Sequence, residues 1–346
     1  MLRKIIFILI ATGFLGINAQ AQGCAEPASE DGVNVFGFLQ AQYDYGFTEG
    51  DNTSTFGFNR SRIGVMGNIP YDFSYYVLLE TSPFKKDGPK AYLLDAFITY
   101  GRYSFAKVSL GSFKSPFGQE LSTPCHALHT INRSKVVNEL TAPDRDMGLM
   151  LLGGSDTTLL RYAVAVMNGT GLLVEDMDKY KDIVGRVLVQ PTDWMHVGGS
   201  FRFGKSVNED PTVDADERTR LGAEFEIERY GFLVQGEYIW AEDKGSYLVG
   251  GGCGSDPEVV QGSVQREGLS IMALYNTPWN LQPVIKYENF NSDISLGNNN
   301  MEHVTTIGFN YFFNEWTRLQ VNYEYKAEWY GEIDNDMLMV QLQVRF

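Results

Sequence analysis

The chain has 346 residues, 36 of them Gly and 13% aromatic, with 28 basic against 43 acidic residues and a net charge of −15. That balance excludes a nucleic-acid partner, which needs a basic face to displace counterions from phosphates. A mean hydropathy of −0.19 excludes a bundle of membrane-spanning helices, and three cysteines are too few for a disulfide framework.

The chain opens with two basic residues in Met1 to Lys4, an apolar stretch from Ile5 to Ile17, and the small-x-small site Ala19-Gln20-Ala21. This pattern predicts a secretory signal peptide over residues 1–21 and a single mature domain over 22–346. Cys24 marks a possible lipid-attachment position, but Ala21-Gln22-Gly23-Cys24 lacks the large apolar residue a lipoprotein signal carries three places before its cysteine.

From there the chain alternates. Val33, Val35, Leu39, Tyr43 and Phe47 interleave with Asn34, Gln40, Gln42 and Asp44, and Thr219, Leu221, Phe225 and Ile227 with Arg218, Arg220, Glu224 and Glu226. Leu319, Val321, Tyr323 and Tyr325 interleave with Arg318, Gln320, Asn322, Glu324 and Lys326. The last strand places Leu338, Val340, Leu342, Val344 and Phe346 opposite Met337, Met339, Gln341, Gln343 and Arg345. A period of two is a strand signature, and a polar residue at each inward step predicts a wet inner wall.

A soluble sandwich alternates too, so connection lengths decide. Seven short connections, among them Asn68–Tyr71, Gly154–Thr157, Pro191–Asp193 and Arg229–Gly231, alternate with eight long ones, among them Thr48–Thr55, Lys205–Glu217 and Glu242–Val264. This predicts an all-β fold, a transmembrane antiparallel β-barrel of about sixteen strands with both termini on the short-turn side. Tyr71, Phe73, Tyr75, Tyr76, Trp194, Trp240, Trp279 and Trp316 cluster where strands meet turns and are read as interfacial girdles.

The third long connection, Ser115–Arg145, is far beyond an ordinary loop. Asn132–Leu140 within it reads as a short helix with Val136, Val137 and Leu140 on one side. A lumen of sixteen strands needs an inward element to narrow it, and this connection is the candidate. Arg60 and Arg62 share a strand face opposite Ile63 and Val65, and an arginine facing lipid costs roughly 2 to 4 kcal/mol, so both are expected to face the lumen.

Arg60-Ser61-Arg62-Ile63-Gly64, Leu94-Asp95-Ala96-Phe97-Ile98-Thr99-Tyr100, Gly111-Ser112-Phe113-Lys114-Ser115-Pro116-Phe117-Gly118-Gln119-Glu120, Asn132-Arg133-Ser134 and Asp144-Arg145-Asp146-Met147-Gly148 resemble the phosphate-selective porin O and P family. The resemblance implies a homotrimeric, sixteen-stranded outer-membrane channel with an inward third loop. It implies Arg60, Arg62, Lys114 and Arg133 as anion contacts, and Asp95 and Ser115 near the constriction. The inner faces also carry Glu80, Glu224, Glu226, Glu237 and Glu288 beside Arg186, Arg202, Arg220 and Lys286, a mixture that leaves anion selectivity open.

The expected function is passive diffusion of small hydrophilic solutes or ions, with outer-membrane lipid around the barrel and no cofactor. Alternatives are a structural or adhesive barrel and, more remotely, an outer-membrane enzyme. His126 and His129 have no third metal ligand in view and read as solvated loop residues, and Cys125 and Cys253 either pair between loops or stay apart. The residues Gln22 to Asp31 ahead of the first strand are too few for a plug domain.

Overall fold

The computed structural model describes residues 32–48, 52–82, 91–176, 178–206, 216–249, 258–328 and 333–346. The leader, Cys24 and Cys253 lie outside the described residues. The strands are β1 (Asn34–Gly46), β2 (Thr53–Ile69), β3 (Phe73–Glu80), β4 (Tyr92–Tyr103), β5 (Ala106–Lys114), β6 (Arg145–Gly153), β7 (Leu160–Met167), β8 (Asp182–Thr192) and β9 (Met195–Ser206). They continue as β10 (Asp216–Arg229), β11 (Phe232–Lys244), β12 (Ser246–Val249), β13 (Glu258–Gln261), β14 (Val264–Tyr275), β15 (Leu281–Asn291), β16 (Met301–Phe312), β17 (Thr317–Glu328) and β18 (Met337–Arg345). Two short helices, α1 (Gln119–Ser122) and α2 (Lys135–Leu140), fall between β5 and β6.

Sixteen strands close an antiparallel barrel in which each pairs with its neighbours in sequence; β12 and β13 form a separate hairpin that β11 and β14 bypass. The connection Glu242–Val264 is therefore not one loop: β11 runs on to Lys244, and the hairpin is tied down by Tyr247, whose ring lies 5.1 Å from the Arg266 guanidinium. The seam is β1 against β18, where Phe38 faces Arg345. Beyond it, Gly37 and Phe346 exchange two main-chain hydrogen bonds of 2.9 and 3.0 Å. A side chain at position 37 would lie 2.7 Å from the Phe346 ring, so the glycine is the notch that receives the last residue. At the other end of the β10–β11 hairpin, Tyr230 and Gly231 both take positive φ, as a two-residue turn matched to strand twist requires.

The predicted faces appear in the burial pattern. Val33, Val35, Leu39, Ile63, Leu221 and Ile227 are exposed on the outside, where lipid would cover them, while Arg60, Arg62, Arg220, Glu224, Arg318, Gln320 and Asn322 are buried inside. Tyr71, Phe105, Tyr230, Trp279 and Trp316 ring the short-turn rim. Tyr76 and Trp194 depart from the girdle reading. Tyr76 lies inside, stacked on Phe97 at 5.1 Å, and Trp194 lines a cavity at the mouth. Tyr75 and Tyr76 are adjacent on a strand, and a pleat cannot send both outward.

The inner wall is not wet throughout. On β6, β7 and β8 the inward positions include Met150, Leu152, Ala163, Ala165, Met167 and Val184, buried in one apolar cluster with Val136, Val137 and Leu140 of α2, beside charged Asp146, Arg161, Asp182 and Arg186. Alternation fails there because this face meets protein, not water, and apolar residues on both faces are then favoured.

Candidate functional site

Residues 115–144 connect β5 to β6 and bond to side chains on the buried face of the wall. Their main chain cannot ladder with the wall strands, which are already paired on both edges, so its donors and acceptors must find side chains. The wall supplies them by sign. Carboxylates accept from N–H groups: Glu237 from Gln119 and Glu120 at 3.2 and 3.0 Å, and Glu288 from Lys135 at 2.6 Å. Cations and amides donate to carbonyls: Arg220 to Leu140, Arg202 to Thr141 and Pro143, Asn310 to His129, and Arg318 to His126, all within 2.9 Å. Asn322 accepts from the Ile131 N–H at 2.7 Å. These side chains come from β9, β10, β11, β15, β16 and β17, so the segment is held from several sides of the lumen.

Two local features fit it there. Ser134 caps α2 by accepting from the Val137 N–H at 3.2 Å, so a helix of six residues has one end satisfied. Val136 then seats against Gly268 of β14, where any β-carbon would lie 2.6 Å from a valine methyl. Gly118 turns the chain into α1 with φ +63°, at a point where a side chain would collide with the Glu237 carboxylate.

The six residues picked from the sequence occupy two places. Arg62, Lys114 and Arg133 meet around residues 120–125. Arg62 donates to Glu80 at 2.8 Å and to Cys125 Sγ at 3.1 Å; Arg133 donates to the same sulfur at 3.4 Å and to the carbonyls of Glu120 and Thr123 at 3.0 and 2.9 Å; Lys114 donates to the Thr123 carbonyl at 3.4 Å. Arg60 joins at one remove, bonding Gln40 at 3.0 Å while Gln40 donates to the Cys125 carbonyl. Asp95 and Ser115 stand where the segment rejoins the wall. Asp95 accepts from Arg145 at 2.9 Å, and Ser115 Oγ donates to the Pro143 carbonyl at 3.0 Å while accepting from Arg202 at 2.6 Å.

Cys125, Gln40, Arg145 and Glu237 are the members that sequence reading did not place in the site. Cys125 is buried, and its sulfur is the shared acceptor of two guanidiniums, a role that no spacing in the chain announces. Nearby, a cavity of about 240 Å³ is bounded by Arg62, Asp95, Lys114, His126 and Arg145 with apolar Phe36 and Phe38.

The mixed charge of the inner faces resolves mainly into pairs: Arg62 with Glu80, Arg145 with Asp95, Arg186 with Glu224, Arg220 and Arg266 with Asp243, and Lys286 with Glu120 and Glu288. Arg60 and Arg318 are exceptions. They bond only amides and carbonyls, with no carboxylate partner among the described residues. Positive charge is thus uncompensated beside residues 126–131. His126 and His129 are half-buried: burial, then the charge of Arg345 on His126 and of Arg318 on His129, pushes both rings down to about 4. Among the described residues no three His, Cys, Asp or Glu gather as a metal site.

The phosphate-selective porin O and P family matches residues 33–178. Solved structures match nearly end to end: an anion-selective porin from Comamonas acidovorans (13% identity, 91% of this chain and 99% of that one, TM-score 0.67) and the outer-membrane channel DcaP of Acinetobacter baumannii (12%, 93% and 100%, 0.65). The trimer form of OmpT, an outer-membrane protein of Vibrio cholerae, matches at 14% identity over 91% and 99%, with a TM-score of 0.61. No curated protein matches in sequence. At such identities the likeness is one of fold, and the family match lies on the motif-bearing part of the chain. Residues 33–178 thus match the phosphate-selective porin O and P family, and the whole chain has the fold of outer-membrane porin barrels.

Proposed function

We propose that the chain is a passive channel for small hydrophilic solutes, not an enzyme, and that segment 115–144 is its constriction. The observation that carries this reading is the bonding of that segment to polar side chains from several sides of a closed sixteen-stranded wall. Arg60, Arg62, Lys114 and Arg133 are the proposed anion contacts, with Asp95 and Ser115 anchoring the exit of the segment. Support comes from Arg60 and Arg318, whose charge no carboxylate offsets, because low-dielectric walls lengthen the reach of such charge. Guanidinium forks also match phosphate oxygens.

The test is reversal potential in a chloride gradient, followed by phosphate block of chloride current. Anion preference that falls in Arg60→Ala and Arg133→Ala is the expected result; cation preference in the unaltered protein would overturn the selectivity part. A homotrimer belongs to the same proposal, and the structural neighbour in trimer form is its support. Conductance should then rise in steps of three, and mild detergent should preserve a trimer of chains beginning at Gln22.

A further inference from the structure

Between the inward segment and the short turns lies a second, larger cavity of about 490 Å³. Its roof is Thr123 to Thr130 of the segment, and its floor is formed by the turns that follow β6, β8 and β14. The size suits a small organic molecule. Its lining is divided in a way that the anion contacts do not explain. Five carboxylates face it, from Glu120, Asp156, Asp193, Glu226 and Glu228, against the one guanidinium of Arg161, which is itself paired with Asp156. Leu128, Leu233, Met272 and Leu274 supply an apolar wall.

Two of the carboxylates are uncommitted. Asp193 and Glu228 are exposed to the cavity mouth, and among the described residues neither has an ion pair or a side-chain hydrogen bond. His196 is a different kind of signal. It sits opposite Glu226 in register, is 8% exposed and lines the cavity, yet its Nε2 has no hydrogen bond and lies 4.0 Å from Glu224, and its Nδ1 lies 3.8 Å from Glu226. Buried polar atoms are rarely left unmatched, and a neutral imidazole nitrogen without a hydrogen bond is an acceptor that an ammonium N–H would satisfy.

We propose that this cavity binds an organic ammonium ion with an apolar body, its head among Glu226, Glu228, Asp193 and His196 and its body against Leu128, Leu233, Met272 and Leu274. A free anion is opposed by the carboxylates, and a small hydrated cation has no use for the apolar wall. Glu226 and Glu228 share one face of β10, so two acceptors stand about 7 Å apart along the strand, within reach of one ammonium group and its chain. The inference goes beyond the channel reading, since binding does not require conduction.

The experiment is calorimetry on the purified, heat-modifiable mature barrel in detergent, blanked against detergent alone, at neutral pH. The probes are hexylammonium, methylammonium and hexanoate. Hexylammonium should bind about tenfold more tightly than either of the others, the difference expected when one charge contact or most of a buried alkyl chain is lost. The double variant Asp193→Asn, Glu228→Gln, whose positions are exposed and spare the wall, should weaken hexylammonium binding about fivefold or more. Equal binding of hexanoate, equal binding of methylammonium, or an unchanged affinity in the double variant would each overturn the proposal. A barrel that binds hexylammonium but passes no current in planar bilayers would instead remove the channel reading and leave this one standing.

Discussion

The Asp95–Arg145 pair illustrates how residues inside this barrel are priced against each other. Both side chains are at most 5% exposed, with Nε and Oδ1 at 2.9 Å. Two buried charges gain little over an apolar pair, but removing one leaves the other uncompensated at about 3 to 5 kcal/mol. Arg145→Leu should therefore lower the temperature at which the heat-modified form appears, and Asp95→Leu added to it should recover most of the loss. If the double variant is no better than the single, the pair is not an isolated electrostatic unit. The two histidines of the segment make a pH prediction. Their folded pKa of about 4 lies below the ordinary 6.5, so between those values the unfolded segment binds protons that the folded one refuses. Their contribution is complete above about pH 6.5 and is lost as pH falls toward 4, and the segment should become open to protease over that window. His126→Asn with His129→Gln should flatten the profile; an identical profile in that variant would remove the histidines as its cause.

At the scale of elements, the inward segment is both the most legible and the least legible part of the chain. The helix read over Asn132–Leu140 is present as α2 with Val136, Val137 and Leu140 buried, because an apolar triad at helical spacing needs only its own sequence to be seen. The brief α1 and the turn at Cys125–Ala127 gave no such pattern, being held by Glu237 and by donors from distant strands. The strands were legible wherever one face meets lipid and the other meets polar atoms. On β6 to β8 several inward positions are apolar instead, members of the cluster that also takes in α2. The roles of Arg60, Arg62 and Arg133 as partners of amide, sulfur and carbonyl depend on contacts more than 60 residues away for the first two, which periodicity cannot express. Two changes test the segment as an element. Gly268→Leu should drive α2 from its seat and raise single-channel conductance, and deleting residues 119–141 should raise it severalfold. Unchanged conductance in the deletion would place the constriction elsewhere.

For the whole molecule, the charge of −15 says little about the lumen, because interior acids and bases mostly neutralise each other pairwise and the surplus is local. The surplus is positive beside residues 126–131, near Arg60 and Arg318, and negative around the short-turn cavity. A solute crossing the barrel therefore meets opposite signs in succession, and rectification of current is the expected signature: current–voltage curves should be asymmetric at low salt and become linear at high salt as the fields are screened. Symmetry at low salt would argue against both local surpluses.

The seam at Gly37 and Phe346 carries a consequence for how the molecule comes into being. The barrel is a meander, so every strand except the first can find a neighbour as it emerges; β1 must wait for β18. Closure thus waits on the β1–β18 pairing, and a chain lacking that last hairpin keeps all its local pairings yet has two raw edges facing hydrocarbon, each unsatisfied group costing several kcal/mol. Leaving water is therefore an all-or-none step set by one long-range seam, not by the hairpins that precede it.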